Sequence, residues 1–115
     1  MHELSIALSI IDGVLEEAER HERALVQTVH LRVGRLSGVD KEALSFSFRV
    51  ASQDTPLADS RLEIEDVEVL IHCSACDAES TITDAPLLIC ARCGSVGGRV
   101  LQGGELEISK LEIVA

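Results

Sequence analysis

Four cysteines in two matched pairs are the strongest constraint in this sequence of 115 residues. Two residues separate Cys73 from Cys76, two separate Cys90 from Cys93, and 13 residues lie between the pairs. Two intervening residues allow both sulfurs of a pair to reach one ion at about 2.3 Å. The spacing therefore predicts a zinc ribbon, in which four thiolates hold one tetrahedral zinc ion.

The alternatives for these cysteines are an iron–sulfur cluster and a redox-active dithiol. Four protein ligands fill a tetrahedral site, so we expect the zinc to be structural and not catalytic. About 25 residues with few large apolar side chains cannot form a core alone, and metal binding would stabilise such a segment instead. The neighbouring His72 is a weaker candidate ligand.

The charge and composition restrict the classes of partner. The net charge is −10, from 20 acidic and 10 basic residues. This argues against nucleic acids and anionic membranes, which proteins bind through basic surfaces. No segment is apolar enough to span a bilayer, and the N-terminal stretch lacks the features of a signal peptide. We therefore expect a cytoplasmic protein, in which cysteines are more often metal ligands than disulfides.

The hydrophobic pattern predicts the order α-β-α-β, then the cysteine-rich insert and a closing strand. Helical periodicity covers residues 4–22 and 41–53, and Asp40 is the expected N-cap of the second helix. Strand patterns cover three segments, residues 25–33, 61–71 and 105–115. In the first strand, alternation predicts four residues on one face: Leu25, Val29, Leu31 and Val33. The simplest packing is an α+β domain, a three-stranded sheet with two helices on one face.

Two of these strands share an irregular pattern. The apolar side chains change face at Glu65–Asp66 in one strand and at Ser109–Lys110 in the other. Antiparallel pairing would bring both changes of face together. We therefore predict that strands 61–71 and 105–115 are neighbours, with a bulge or sharp twist at the change. The alternative is that each strand is buried on both faces.

The insert divides the chain into two predicted domains. Residues 1–71 and 102–115 would form the α/β domain, and residues 72–101 would form the zinc-binding domain. Two glycine pairs are candidate hinges at the exit of the insert, Gly97-Gly98 and Gly103-Gly104. No lone thiol, catalytic triad, phosphate loop or carboxylate pair stands at a useful spacing, so we expect no enzyme activity.

A histidine at position 2 is a second candidate metal ligand. Its size predicts that Met1 is retained, so the amine of Met1, the imidazole of His2 and the amides of His2 and Glu3 could reach one ion. Such nitrogen-rich, near-planar ligand sets suit Ni(II) or Cu(II) better than zinc. Glu3 could add an oxygen ligand or hold another ligand in place. Taken alone, a histidine at this position is more often an exposed residue without a role.

These features together resemble the HypA/HybF family, the nickel metallochaperones of nickel-iron hydrogenase maturation. The resemblance rests on MHELSIA, VGRLSGVDKEALSFSF, LEIE, the two CxxC pairs and GGELEI, and it covers nearly the whole chain. It implies that His2 is a nickel ligand, with Glu3 beside it and amide nitrogens completing the site. It also implies that the four cysteines bind structural zinc. The second pair reads CARCG where many members have CPxCG, which should loosen that turn without removing a ligand.

The resemblance also implies partners. Members of the family pass Ni(II) to the hydrogenase large subunit in cooperation with a HypB-type GTPase, and some also serve urease. A homodimer is an open alternative, because the sequence does not determine the oligomeric state. Two rival hypotheses belong to other classes: a zinc-ribbon protein-interaction module without a nickel role, and a redox enzyme that uses its CxxC pairs.

Overall fold

The computed structural model describes residues 2–82 and 88–114. Two α-helices and six strands follow in order, with one 3₁₀ turn: α1 (Glu3–Arg20), β1 (Leu25–Gly34), the 3₁₀ turn (Arg35–Ser37), α2 (Lys41–Ala51), β2 (Arg61–Val67), β3 (Val69–Cys73), β4 (Ala78–Ile82), β5 (Arg99–Gln102) and β6 (Leu106–Val114). The strands form two three-stranded sheets, with the orders β2-β1-β6 and β4-β3-β5. The predicted α+β class, with two helices, a three-stranded sheet and a cysteine-rich insert, is confirmed.

The chain divides into two compact units. The first comprises three segments, Met1–Leu31, Val39–Glu65 and Glu107–Ala115. The second comprises two, Arg32–Gly38 and Asp66–Leu106. All four cysteines and the whole predicted insert, residues 72–101, lie within the second unit. In the described segments, no helix has the length and apolar character needed to cross a membrane.

The two helices belong to the first unit and bury one face each. On α1 the buried residues recur at helical spacing: Ala7, Ile10, Ile11, Val14 and Ala18. The side chain of Asp40 accepts a hydrogen bond of 3.1 Å from the Ala43 N–H, which confirms the predicted N-cap of α2. Leu44 and Phe48 are the buried residues of α2.

β1 is the central strand of the sheet β2-β1-β6. Three of the residues predicted to face the core are buried: Val29, Leu31 and Val33. The prediction for Leu25 is wrong, because this side chain is 59% exposed whereas Val26 and Thr28 are buried. The burial pattern changes phase between Thr28 and Val29, since a central strand can be covered on both faces.

The predicted pairing of residues 61–71 with residues 105–115 is wrong. The first of these segments forms two strands, β2 and β3, which belong to different sheets, and β1 separates β2 from β6. The apolar side chains change face at Glu65–Asp66, which is also where the chain passes from the first unit to the second. The change of face therefore reflects the different cores of the two units and not a bulge within one strand. β6 is an edge strand, and its apolar side chains are too exposed for their alternation to indicate a buried face.

In the second unit, β3 is the central strand and pairs antiparallel with both β4 and β5. Five buried residues form its small core: Val69, Ile71, Cys73, Ile82 and Cys90. Leu36 and Leu88 are partly buried against this core. Two of the four cysteines, Cys73 and Cys90, are therefore core residues, so the candidate metal site shares two residues with the core of this unit.

Candidate metal centres

The four cysteine sulfurs converge in the second unit. Cys73 is the last residue of β3, and Cys76 lies in the turn that leads into β4. Cys90 and Cys93 lie in a second turn, closed by a bridge between Ile89 and Val96. All four Sγ atoms lie within 4.8 Å of one another. The fold therefore brings together the two pairs that the sequence singles out.

The spacing of the sulfurs fits a tetrahedral zinc ion. The Sγ atoms of Cys73 and Cys93 are 3.6 Å apart, and those of Cys76 and Cys90 are 3.7 Å apart. A disulfide would require about 2.05 Å. Four sulfurs placed about 2.3 Å from one zinc ion are separated by about 3.8 Å along each tetrahedral edge. These residues can therefore hold zinc with little movement.

The two cysteine turns have the same backbone design. The residue after the second cysteine of each pair has a positive φ, 53° at Asp77 and 77° at Gly94. This left-handed residue turns the chain back after the second sulfur, a conformation that glycine adopts without strain. The two turns thus share a left-handed residue directly after their second cysteine.

The hydrogen bonds around the sulfurs are unequal. The Arg92 N–H donates to Cys90 Sγ at 3.4 Å, and the Ser80 hydroxyl donates to the same sulfur at 3.9 Å. The Cys93 thiol donates to Ser95 Oγ at 3.3 Å, and the Ser95 hydroxyl can donate in return once this sulfur is a thiolate. Sequence reasoning missed both serines. The position of Ser95, two residues after Cys93, was a usable signal, whereas Ser80 is brought to the site only by the fold.

The same contacts set the acidity of the thiols. Backbone N–H groups of Cys93 and Arg92 lower the pKa of Cys90 to about 6. The hydroxyl and the N–H of Ser95 lower the pKa of Cys93. Loss of hydration, together with the neighbouring thiols, raises the pKa of Cys76 to about 12. A cation shared by the four sulfurs would favour their ionisation, which is the role a zinc ion would have.

His72 does not join the sulfur cluster. Its Nε2 atom lies 2.9 Å from Asp77 Oδ1, so the imidazole is paired with a carboxylate. Among the described residues, the group of side chains placed to hold a metal contains the four cysteines and no histidine.

The N-terminal candidate site lies at the start of α1. His2 is exposed and occupies the N-cap position, and its carbonyl accepts a hydrogen bond of 3.1 Å from the Ile6 N–H. The Glu3 carboxylate accepts a hydrogen bond of 3.2 Å from the Asp40 N–H, at the start of α2. Met1, the predicted amine ligand, lies outside the described residues. Within the described part of the chain, His2 belongs to no group of three or more metal-binding side chains, so nickel ligation there stays a prediction.

Comparison with known proteins identifies the family. A family model described as hydrogenase/urease nickel incorporation, metallochaperone, HypA matches residues 1–113. The hydrogenase maturation factor HypA of Chloroflexus aurantiacus is 44% identical over 112 residues, covering 97% of this chain and 98% of that protein. That of Synechococcus elongatus is 38% identical over 115 residues, covering 99% and 100%.

Solved structures agree with the sequence comparisons. The solution structure of the Ni metallochaperone HypA from Helicobacter pylori has a TM-score of 0.66 and 26% identity, covering 100% of this chain and 99% of that one. A second solution structure of a HypA protein has a TM-score of 0.72 and 25% identity, covering 99% and 97%. The chain therefore belongs to the HypA family of nickel metallochaperones, which act in hydrogenase maturation.

Proposed function

We propose that this chain binds Ni(II) at its N-terminus and delivers it for the maturation of a nickel-iron hydrogenase. The observation that carries the proposal is the family match over residues 1–113, which includes the histidine at position 2. A zinc ion on the four cysteines has a structural role in this proposal, consistent with the sulfur spacing and with the presence of two cysteines in the small core.

The start of α1 is suited to nitrogen ligation of nickel. The first N–H groups of a helix have no acceptor within the helix. An amide nitrogen that binds Ni(II) loses its proton, and at this position the loss breaks no hydrogen bond of the helix. The imidazole of His2 is exposed beside these amides, and the amine of Met1 would complete a near-planar set.

Glu3 is proposed to hold this site in place. Its carboxylate is bonded to the N–H of Asp40, so it ties the first turn of α1 to the first turn of α2. Both residues belong to the first unit. A carboxylate engaged in this way orients the ligand beside it, although it could exchange to bind the ion as an oxygen ligand.

The partners follow from the family. We propose that a HypB-type GTPase cooperates in nickel transfer and that the hydrogenase large subunit receives the ion. A ligand set at an exposed terminus suits transfer, because an approaching partner can reach the ion without unfolding the carrier. The proposal includes a cytoplasmic location and no catalytic activity of the chain itself, and neither nucleic acid nor membrane as a partner of this acidic protein.

Calorimetric titration with Ni(II) tests the nickel site. Substituting His2→Ala in the zinc-loaded chain should abolish nickel binding, because the imidazole is the one side-chain nitrogen proposed for the site. The zinc content should stay at one ion per chain. His21→Ala is the matched control, since this exposed histidine at the other end of α1 should leave nickel affinity unchanged. Nickel affinity that survives His2→Ala would place the site elsewhere and favour the zinc-ribbon interaction module.

A further inference from the structure

We infer that Cys76 is the zinc ligand that reacts first with soft electrophiles, so that the zinc site opens at this residue. The inference rests on the proposed binding of zinc by the four cysteines. The four cysteine sulfurs differ in their exposure and in the hydrogen bonds that they receive.

Burial removes two of the four sulfurs from consideration. Cys73 and Cys90, the first cysteine of each pair, are 3% and 2% exposed. Cys76 and Cys93, the second cysteine of each pair, are exposed. A reagent from solution can therefore approach only the second cysteine of each turn.

The two exposed cysteines differ in their hydrogen bonds. As a thiol, Cys93 donates its S–H to Ser95 Oγ at 3.3 Å. A zinc-bound thiolate has no proton, so in that state the Ser95 hydroxyl is the partner that can donate to the sulfur. For Cys76, the contact found is with Cys90 Sγ at 3.7 Å, and in the described part of the structure no nitrogen or oxygen donor reaches its sulfur. Among the described residues, Cys76 is therefore the exposed cysteine whose sulfur receives no hydrogen bond from nitrogen or oxygen.

The two turns share their backbone feature but differ in one side chain, and this side chain explains why the two exposed sulfurs differ in hydrogen bonding. Each second cysteine is followed by one residue with positive φ and then by a half-buried residue, which is Ala78 after Cys76 and Ser95 after Cys93. The hydroxyl that supports Cys93 thus has a methyl group in its place in the first turn. Exchanging these two side chains should exchange the reactivity of the two sulfurs.

The chemistry is a simple displacement. With iodoacetamide, a lone pair of the zinc-bound thiolate attacks the methylene carbon, a C–S bond forms, the C–I bond breaks and iodide leaves. Hydrogen bonds to a thiolate withdraw electron density and slow this attack. The product is a neutral thioether, which binds zinc far more weakly than a thiolate does, so the metal is released.

The experiment uses the full chain loaded with one zinc ion, limiting iodoacetamide, peptide mapping by mass spectrometry and a chromogenic chelator for released zinc. We expect alkylation of Cys76 to be about tenfold faster than that of Cys93, and zinc release to follow the modification of Cys76. Ser95→Ala should accelerate Cys93 alkylation about threefold or more without changing Cys76, and Ala78→Ser should slow Cys76.

Ser74→Ala is the matched control, because Ser74 is exposed in the first turn and should affect neither rate. Equal or faster alkylation of Cys93 in a chain with one bound zinc would overturn the inference and leave the proposed zinc site intact. A lack of response to both Ser95→Ala and Ala78→Ser would also overturn it. A purified chain that binds no zinc would overturn the proposed site and the inference together.

Discussion

At the scale of single residues, Gly34 shows how closely two chain segments approach in the second unit. Its N–H donates to the Glu105 carbonyl at 2.7 Å, and the Leu36 N–H donates to the Gly103 carbonyl at 2.8 Å. A Cβ atom at position 34 would lie 2.0 Å from the Gly103 oxygen. Because that atom belongs to the backbone, no side-chain rotation can relieve the clash.

Gly34→Ala should therefore destabilise the zinc-loaded chain by about 3 kcal/mol, the upper range for an inserted methyl group in a packed region. Urea unfolding followed by circular dichroism measures the change. Gly104→Ala is the control, because nothing lies within 4 Å of a Cβ atom at that position. An equal effect of the two substitutions would contradict the role assigned to the close approach.

Some residues of the sites could be predicted from the sequence, and others could not. Each cysteine has the second cysteine of its pair three positions away, and Asp40 accepts a hydrogen bond from the Ala43 N–H, also three positions away. Spacing in the sequence alone therefore indicates their roles. No local pattern in the sequence gives His30 a partner, yet its Nε2 atom lies 2.6 Å from Glu112 Oε1. These residues are 82 positions apart, and only the strand order places them together.

At the scale of helices and strands, the sequence predicted which segments are regular better than it predicted how they pair. The order of elements is as expected because helical and strand periodicities are local properties. Helix α1 ends at Arg20, two residues before the end that the sequence predicts. The hydrophobic pattern does not reveal the positive φ values of Glu22 and Arg23, which end the helix. The partner of β6 is β1, which lies far away in the sequence, so local patterns cannot identify it. The matching changes of face in segments 61–71 and 105–115 therefore suggested a wrong partner.

The contact between β1 and β6 predicts a pH dependence of stability. The hydrogen bond to His30 lowers the pKa of Glu112 below its usual 4.5, and the charges of His30, Lys110 and Arg61 act in the same direction. A lowered pKa in the folded state means that this carboxylate stabilises the fold above pH 4.5, and that the contribution is lost as the pH falls through the folded-state pKa.

Glu112→Gln should therefore lower the urea midpoint at about pH 6 and have progressively less effect toward about pH 3. Parallel urea titrations of the two proteins across this range measure the difference. In a His30→Ala background the pH dependence of the difference should become smaller. A difference of constant size at every pH would show that Glu112 acts through packing and not through its charge.

Removal of zinc should loosen the strands of the second unit. The core of this unit includes Cys73 and Cys90, so the sulfurs would be left as closely spaced thiols without the ion that holds them. Hydrogen exchange measured by mass spectrometry after chelation should become faster in β3, β4 and β5, with α1 as the internal reference. Restored protection after zinc is added back is the control, and unchanged exchange in β3 would contradict a structural role for the metal.

At the scale of the whole molecule, the two predicted metal sites rest on different kinds of support. The cysteine site is visible in the fold, where the spacing of four sulfurs fits a tetrahedral zinc ion. The proposed nickel site would depend on backbone nitrogens and a terminal amine, which a search for side-chain clusters does not reveal. The family match over residues 1–113 is the support for proposing nickel binding at His2.

The two ligand sets also differ in chemistry, and this difference should keep the two metals apart. Four thiolates in a tetrahedral arrangement retain zinc, whereas an imidazole and amide nitrogens in a plane favour Ni(II). The zinc-loaded protein should therefore take up nickel without losing zinc. The ligand atoms around each metal are thus the property on which the proposed function most depends.

X-ray absorption at the nickel edge of the chain loaded with one zinc and one Ni(II) measures these atoms most directly. The proposed function predicts a near-planar shell of nitrogen and oxygen neighbours, including imidazole scattering that disappears in His2→Ala. A shell of sulfur neighbours around nickel, with the signal unchanged by His2→Ala, would contradict nickel binding at the N-terminus.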